Sequence, residues 1–307
     1  MRKTFSYKAD INKETELNCS IWIERCRRLY NTALEQRIIL WNSRRKSLSY
    51  IDQTYEIKHL RKAFPEYAAI NSQVLQDPLK RVDLAFKSFY KRCNIKGVKS
   101  GFPKFKSRGF YRSLTFKNSG WNLEGKYLEI YNVGKFKLFL SRPIQGTIKT
   151  VTVRKSMTNK WFVSFSCDDV SEKLVKTNNN EISLKNDGKI TTPPNIEKSI
   201  LLLEKRRKVV DGRKKNSNRR SKARLLIEKA YEKIVNQRKD YFHKLTTKII
   251  EENDTINIIQ ETKKEKKEYE QNLLTTGWYI FVEMLTYKVE ETKRILFKKK
   301  EEKNVNK

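Results

Sequence analysis

The sequence predicts an α+β protein in which a helical block interrupts a β domain and a second, mostly helical region follows. Three observations predict it. Apolar residues alternate with period two at the start of the chain and again from Phe102 to Cys167, and three- and four-residue spacing fills the interval between. Beyond a polar stretch ending at Pro193-Pro194 the spacing becomes helical again. At 307 residues and 37% hydrophobic composition, the chain can bury one large core or two to three smaller ones.

The elements follow in order. From Arg2 to Ala9, Phe5, Tyr7 and Ala9 share one face of a half-buried strand. Asn12 can cap a helix with Glu14 and Glu16 in its first turn, and Trp22, Cys26, Leu29, Ala33 and Arg37 carry it to about Trp41. A second basic amphipathic helix covers Ser72 to Arg92, with Leu75, Leu79, Val82, Phe86 and Phe89 on one stripe; Pro78 should kink it or delay its start. From Phe102, strands alternate through Phe136 and Leu138, Val151 and Val153, then Trp161, Val163, Phe165 and Cys167, which suits a β-barrel or curled sheet. Residues 1–11 and 101–170 then form the β domain and 12–100 its helical insertion. Residues 171–198 read as a linker and an eroded element. From 199 to 300, a basic helical hairpin leads into a long amphipathic helix with Ala230, Ile234, Tyr241, Leu245 and Ile249, a β-like Thr255 to Ile259, and a last helix with Trp278, Phe281, Leu285 and Val289. A basic tail, 301–307, closes the chain.

Charge sets the partner class. Sixty-eight Lys and Arg oppose thirty-five Asp and Glu, a net +33 that calls for a polyanion. No apolar run approaches the roughly 20 residues that span a bilayer, and no signal peptide opens the chain, so nucleic acid is favoured over membrane and the expected location is the bacterial cytoplasm, at the nucleoid. Cys19, Cys26, Cys93 and Cys167 form no CxxC pair, and with only His59 and His243 beside them neither a metal site nor a cofactor is expected. Both histidines lack a plausible nucleophile partner and read as structural.

Three stretches suit nucleic-acid contact. In Gly101 to Arg112, aromatics alternate with Lys104, Lys106, Arg108 and Arg112, which fits stacking beside phosphate contacts; a hairpin with a basic rim is the plain alternative. Lys205 to Arg224 holds eleven basic residues against one acidic, among them Arg206, Arg207, Arg213, Lys214, Arg219, Arg220 and Arg224, with Arg238 further along the helix; a solvated helix face is the alternative. Ser72, Gln73 and Gln76 open the second helix ahead of Lys80; Gln can pair with adenine and Ser with any base edge, while simple capping by Ser72 is the competing account.

Several of these stretches, in order, resemble TnpB, the transposon-encoded RNA-guided nucleases related to type V CRISPR effectors. The blocks are Cys26-Arg-Arg-Leu-Tyr-Asn-Thr-Ala-Leu34, Ser72-Gln-Val-Leu-Gln76 to Phe89, Gly101-Phe-Pro-Lys-Phe-Lys-Ser107, Arg142-Pro-Ile-Gln-Gly146, Arg219 to Ile250, and Trp278 to Lys288. The resemblance implies a β-barrel wedge domain with an inserted helical recognition lobe, then a RuvC-like domain of RNase H type, assembled as one protein copy on a guide RNA and reading a short motif beside its target in double-stranded DNA.

That family's cleavage needs three carboxylates around two divalent cations. The first is an Asp in a Gly-Ile-Asp-Leu-Gly strand; here Lys176 to Ile182 shows no such strand and no Asp. Ile259 or Gln260, depending on register, stands where the central Glu belongs, and the third Asp lies past the last residue of this sequence. The pattern resembles the nuclease-dead relatives called TldR, which implies a degenerate, C-terminally truncated RuvC-like domain, no enzymatic activity, and repression through a guide-directed R-loop. The alternatives are a guide-RNA-binding transposon product without a repressor role, a residual metal-dependent nuclease using Asp168, Asp169, Asp187 or Glu261, and a basic structural RNA-binding protein.

Overall fold

The computed structural model describes residues 1–95, 97, 100–117, 119–171, 175, 177–185, 193–194, 196–260 and 276–300. Two compact units divide the chain, Arg2–Val170 and Ser171–Lys307.

The first unit opens with β1 (Lys3–Ile11), continues through α1 (Lys13–Arg44), α2 (Tyr50–Ala63), α3 (Pro65–Ala68) and α4 (Ser72–Cys93), and ends in β2 (Ser113–Phe116), β3 (Trp121–Glu124), β4 (Tyr127–Ile130), β5 (Gly134–Phe139), β6 (Thr147–Lys155) and β7 (Trp161–Asp168). The seven strands form an antiparallel sheet in the order β2-β6-β7-β1-β5-β4-β3, with β2 and β3 at its edges. Among the described residues it is therefore a curled sheet and not a hydrogen-bonded closed barrel. β1 sits at the centre, Tyr7 opposite Val163 and Ala9 opposite both Trp161 and Leu138, so the first strand is completed only by strands that follow the helices.

Alternation decides which face is buried. Phe5, Tyr7 and Ala9 point inward with Val163, Phe165 and Cys167, and α1 and α4 cover them with Trp22, Cys26, Leu34, Leu75, Leu79 and Val82 in one continuous core. Each such fully buried side chain contributes roughly 1.5–3 kcal/mol. Asn12 caps α1 by accepting from Thr15 N at 2.8 Å. Pro78 does not delay α4, which begins at Ser72. Gly146 explains the end of the Arg142 to Gly146 block: its φ is +76°, and a Cβ there would lie 2.1 Å from the Asp168 carbonyl oxygen.

The second unit contains β8 (Glu181–Leu184), α5 (Ile196–Asp211), α6 (Asn218–Glu252), β9 (Thr255–Gln260), α7 (Thr276–Thr292) and β10 (Ile295–Lys300). The strands form a parallel sheet in the order β10-β9-β8, covered by the C-terminal half of α6 and by α7 through Phe242, Ile250, Phe281 and Leu285. Ile196 and Leu203 of α5 pack on Ala230 and Ile234 of α6 in a smaller core, making the expected basic hairpin. The stretch 171–198, read as linker and eroded segment, contains strand β8, and strand β10 ends at Lys300, ahead of the residues read as the tail; both strands are stabilised by pairing with β9, which no local pattern encodes. Among the described residues, no helix is long and apolar enough to cross a membrane.

Candidate nucleic-acid interface

At the opening of α4, Asn71 and not Ser72 is the cap: its side chain accepts from Gln73 N at 2.9 Å. Ser72 is released from the capping role. Ser72, Gln73 and Gln76 are half-buried and Lys80 is exposed. The Gln73 Oε1 is buried with no hydrogen-bond partner. One turn on, Arg81 is fixed by Asp77 at 2.7 Å and lies 4.7 Å over the Tyr111 ring, which leaves it a structural cation.

Gly101 to Arg112 is an extended loop without strands, so the hairpin alternative does not describe it. Its path is set by backbone bonds at Lys106, whose N–H donates to Asn31 Oδ1 at 2.8 Å while its carbonyl accepts from Arg27 at 2.8 Å and Asn31 at 3.0 Å. Lys106 itself lies 5.8 Å over Tyr30. Lys104 and Arg108 are exposed, as are Phe105 and Phe110, the latter to 69%. Arg112 is bound to the Gly109 and Ser156 carbonyls, the second at 2.8 Å, which directs it into the loop's own architecture. The structure thus keeps the aromatic and cationic alternation at the surface and diverts one cation.

In the second unit, the loop between α5 and α6 carries Arg213, Lys214 and Lys215, and the first turns of α6 add Arg219, Arg220, Lys222 and Arg224 at one end of the hairpin. Lys214, Arg219, Lys222 and Arg224 are exposed. Arg213 donates to the Arg219 carbonyl at 2.5 Å and Arg220 to that of Arg213, a mutual latch that shapes the turn. Arg206 reaches the Leu226 carbonyl at 2.6 Å, and Arg207 lies 5.3 Å over Tyr231, so both tie α5 to α6. Arg238 requires a correction: it is 6% exposed, and burial pulls its pKa down, so it leaves the set of surface contacts. The helical period placed it on the packed side.

The parallel sheet presents Ser183 opposite Asn257, with Ile259 further along the same face. Asn257 is buried and donates to Glu181 Oε1. Asp254 organises the sheet's entrance. Its Oδ2 accepts from Asn178 N at 2.9 Å and Asn179 N at 2.6 Å, its carbonyl accepts from Ile295 N at 3.1 Å, and its carboxylate pairs with Arg294. Sequence reasoning missed Ser183, Asn257 and Asp254. The readable signal was Ile182-Ser-Leu184, apolar residues two apart, which is short.

Among the described residues this face of the sheet carries Glu181 and Ser183 from β8 and Thr255 and Asn257 from β9. Among the described residues no group of three His, Cys, Asp or Glu could hold a metal ion. Asp187 and Glu261, and the tail 301–307, lie outside the described residues. Asp168 is held by Arg2 at 2.6 and 3.1 Å.

Fold and surface together define an α+β protein with a curled antiparallel sheet, a parallel three-stranded sheet and a concentrated basic surface. Residues 174–267 match the family model OrfB_IS605, "Probable transposase". A Streptomyces pristinaespiralis protein named "Putative RNA-guided DNA endonuclease" is 26% identical over 271 residues, covering 83% of this chain and 66% of that protein. "Putative RNA-guided DNA endonuclease InsQ" of Escherichia coli (strain K12) is 25% identical over 248 residues, covering 71% of this chain and 60% of that protein. The chain thus spans 60 to 66% of the length of these curated relatives. Among solved structures, a CRISPR-Cas12f ternary complex aligns with a TM-score of 0.34 and 13% identity over 92% of this chain and 70% of that one. A Cas12f1-sgRNA-target DNA complex aligns with a TM-score of 0.32 and 11% identity over 98% and 85%.

These relatives overturn the expectation that the chain is not an enzyme, because both carry the name of an endonuclease. That expectation rested on missing carboxylates and on the lack of a strand before Asn186; a strand, β8, does stand there, and its sequence Glu181-Ile-Ser-Leu184 carries no Asp.

Proposed function

We propose that this chain is an RNA-guided DNA-binding protein that reads a short motif on duplex DNA, lets its guide RNA pair with the target strand, and represses transcription by remaining on the R-loop. The observation that carries this reading is the exposed, nearly single-signed basic surface at the α5–α6 turn, on a chain of net charge +33. The names of the curated relatives support RNA and DNA as the polyanions. In this reading the first unit is a wedge with an inserted recognition lobe, where Ser72, Gln73, Gln76 and Lys80 face the motif, and the second is a RuvC-like domain. One protein copy binds one guide. Occupancy near a promoter then blocks RNA polymerase.

A second reading, target cleavage, is favoured by those same names. One experiment addresses both: express the protein with its flanking genomic DNA, sequence the RNA that copurifies, map its chromosomal sites, and incubate the complex with matching DNA and Mg²⁺. A defined RNA whose variable end matches sites beside a shared motif, with reduced transcription, is the expected result. Cut DNA selects the second reading. Heterogeneous RNA with diffuse occupancy overturns guided binding.

A further inference from the structure

The helices of the first unit enclose a cavity of about 600 Å³ that the reading above does not use. Its walls are aromatic: Trp41 from α1, Phe86 and Tyr90 from α4, and Phe102 from the loop that follows. Phe102 meets Phe86 edge-on at 5.6 Å. Trp41, Tyr90 and Phe102 remain 51%, 58% and 48% exposed, so three large rings from three segments stand around one opening.

Arg37 forms part of the lining and is 8% exposed. Its Nε donates to Gln53 Oε1 at 2.8 Å, its Nη1 approaches Asp83 Oδ1 at 3.4 Å, and its guanidinium lies 5.5 Å over Phe86. Nη2 is buried with no partner. A buried cationic N–H without an acceptor is costly, and the cost falls when a ligand brings one. An apolar peptide side chain would fill the volume but leave Nη2 unpaired. A planar ring with acceptors on its edge suits the aromatic walls and turns those acceptors toward the Arg37 guanidinium. Lys87, 3.0 Å from Asp83, and Arg45, 6.0 Å from the Trp41 ring, add positive charge at the rim for flanking phosphates.

We infer that this cavity receives one unpaired base of single-stranded RNA, stacked among the aromatic rings with its edge toward Arg37. Unstacked bases on aromatic faces and guanidinium planes are how proteins read single-stranded RNA. Guanine, with O6 and N7 acceptors, matches the donor best. The volume falls within the roughly 300–1,000 Å³ of ligand sites. This inference rests on the nucleic-acid reading above and adds a base-specific site to it.

The test uses the full chain and a short fluorescein-labelled oligouridine with one central guanosine, alongside the same RNA carrying 6-thioguanosine for photocrosslinking. Trp41→Ala and Tyr90→Ala should each weaken binding about tenfold, the size of one lost base–aromatic stack. Trp41→Phe should restore most of it, and all three variants should melt as the wild type does, because these rings are half exposed. Crosslinks should fall on peptides bearing Trp41, Tyr90 or Phe102. If the wild type binds this RNA but the alanine variants bind equally well and crosslinks lie elsewhere, the base pocket is wrong, the nucleic-acid reading stands, and a protein partner becomes the better occupant. If the wild type binds no RNA, the nucleic-acid reading itself fails and takes the pocket with it.

Discussion

Glu24 accepts from Arg27 at 2.7 and 2.8 Å and from Arg28 at 3.2 Å, and Arg27 uses its remaining nitrogen on the Lys106 carbonyl. The Arg27 hydrogen bonds, with lesser help from Arg28, hold the Glu24 carboxyl down at about 2 from its ordinary 4.5. A folded value below the unfolded one means that the stabilisation is fully present above pH 4.5 and is lost as pH falls toward 2. Glu24→Gln should therefore be less stable than the wild type at neutral pH, by about 1 kcal/mol for a partly exposed pair. That gap should close on acidification through this window, which urea midpoints at a series of pH values would show; a constant gap would mean that the pair is idle. The cysteines make a second residue-scale prediction. Burial pushes the Cys19 thiol up to about 12 and the Cys26 thiol higher still, while Cys93 is exposed. A thiol reagent should modify Cys93 rapidly in the native protein and Cys19 and Cys26 only after denaturation, counted by intact mass; early loss of Cys26 would contradict the packed α1.

Among the elements, the parallel sheet depends on one side chain more than on any strand's own preference. Asp254 ties the backbone before β8, the start of β9 and Arg294 ahead of β10, and the Arg294 and Asp254 side chains are only 7% and 16% exposed. Removing one member of such a pair leaves an uncompensated charge, at a cost of about 3 kcal/mol. Asp254→Ala should expose the amides of β8 and β9 to hydrogen exchange while those of β1 and β7 stay protected. The same arrangement explains what the sequence could and could not say. β1, α1, α4 and β7 were legible because long alternating or helical runs, such as Trp161 to Cys167, repeat their own signal several times. β8 has one repeat, Ile182 and Leu184, between an Asn run and polar residues, and its stability comes from β9 more than seventy positions away. At the interface, the charge at the α5–α6 turn was legible as composition. The burial of Arg238 was not, because a single cation on a long helix does not report which neighbour covers it.

For the whole molecule, a net charge of +33 makes affinity for nucleic acid a function of salt before it is a function of sequence. Each phosphate neutralised on duplex DNA steepens the fall of log affinity with log salt by about 0.9, so six to ten contacts would weaken binding roughly 10³- to 10⁵-fold between 50 and 200 mM salt. The α5–α6 turn should own a measurable share of that slope. Arg219 and Arg224 are exposed, so reversing both to Glu removes two cations and adds two repulsive charges without opening a cavity. The double variant should keep the wild-type melting temperature, bind more weakly at low salt, and show a slope shallower by up to about 2. A general basic coat would respond differently: removing two of many equivalent cations would barely alter either quantity. Unchanged affinity and slope would therefore move the contact surface away from the hairpin, leaving the extended loop around Lys104 and Arg108 as the next surface to reverse by the same measurement.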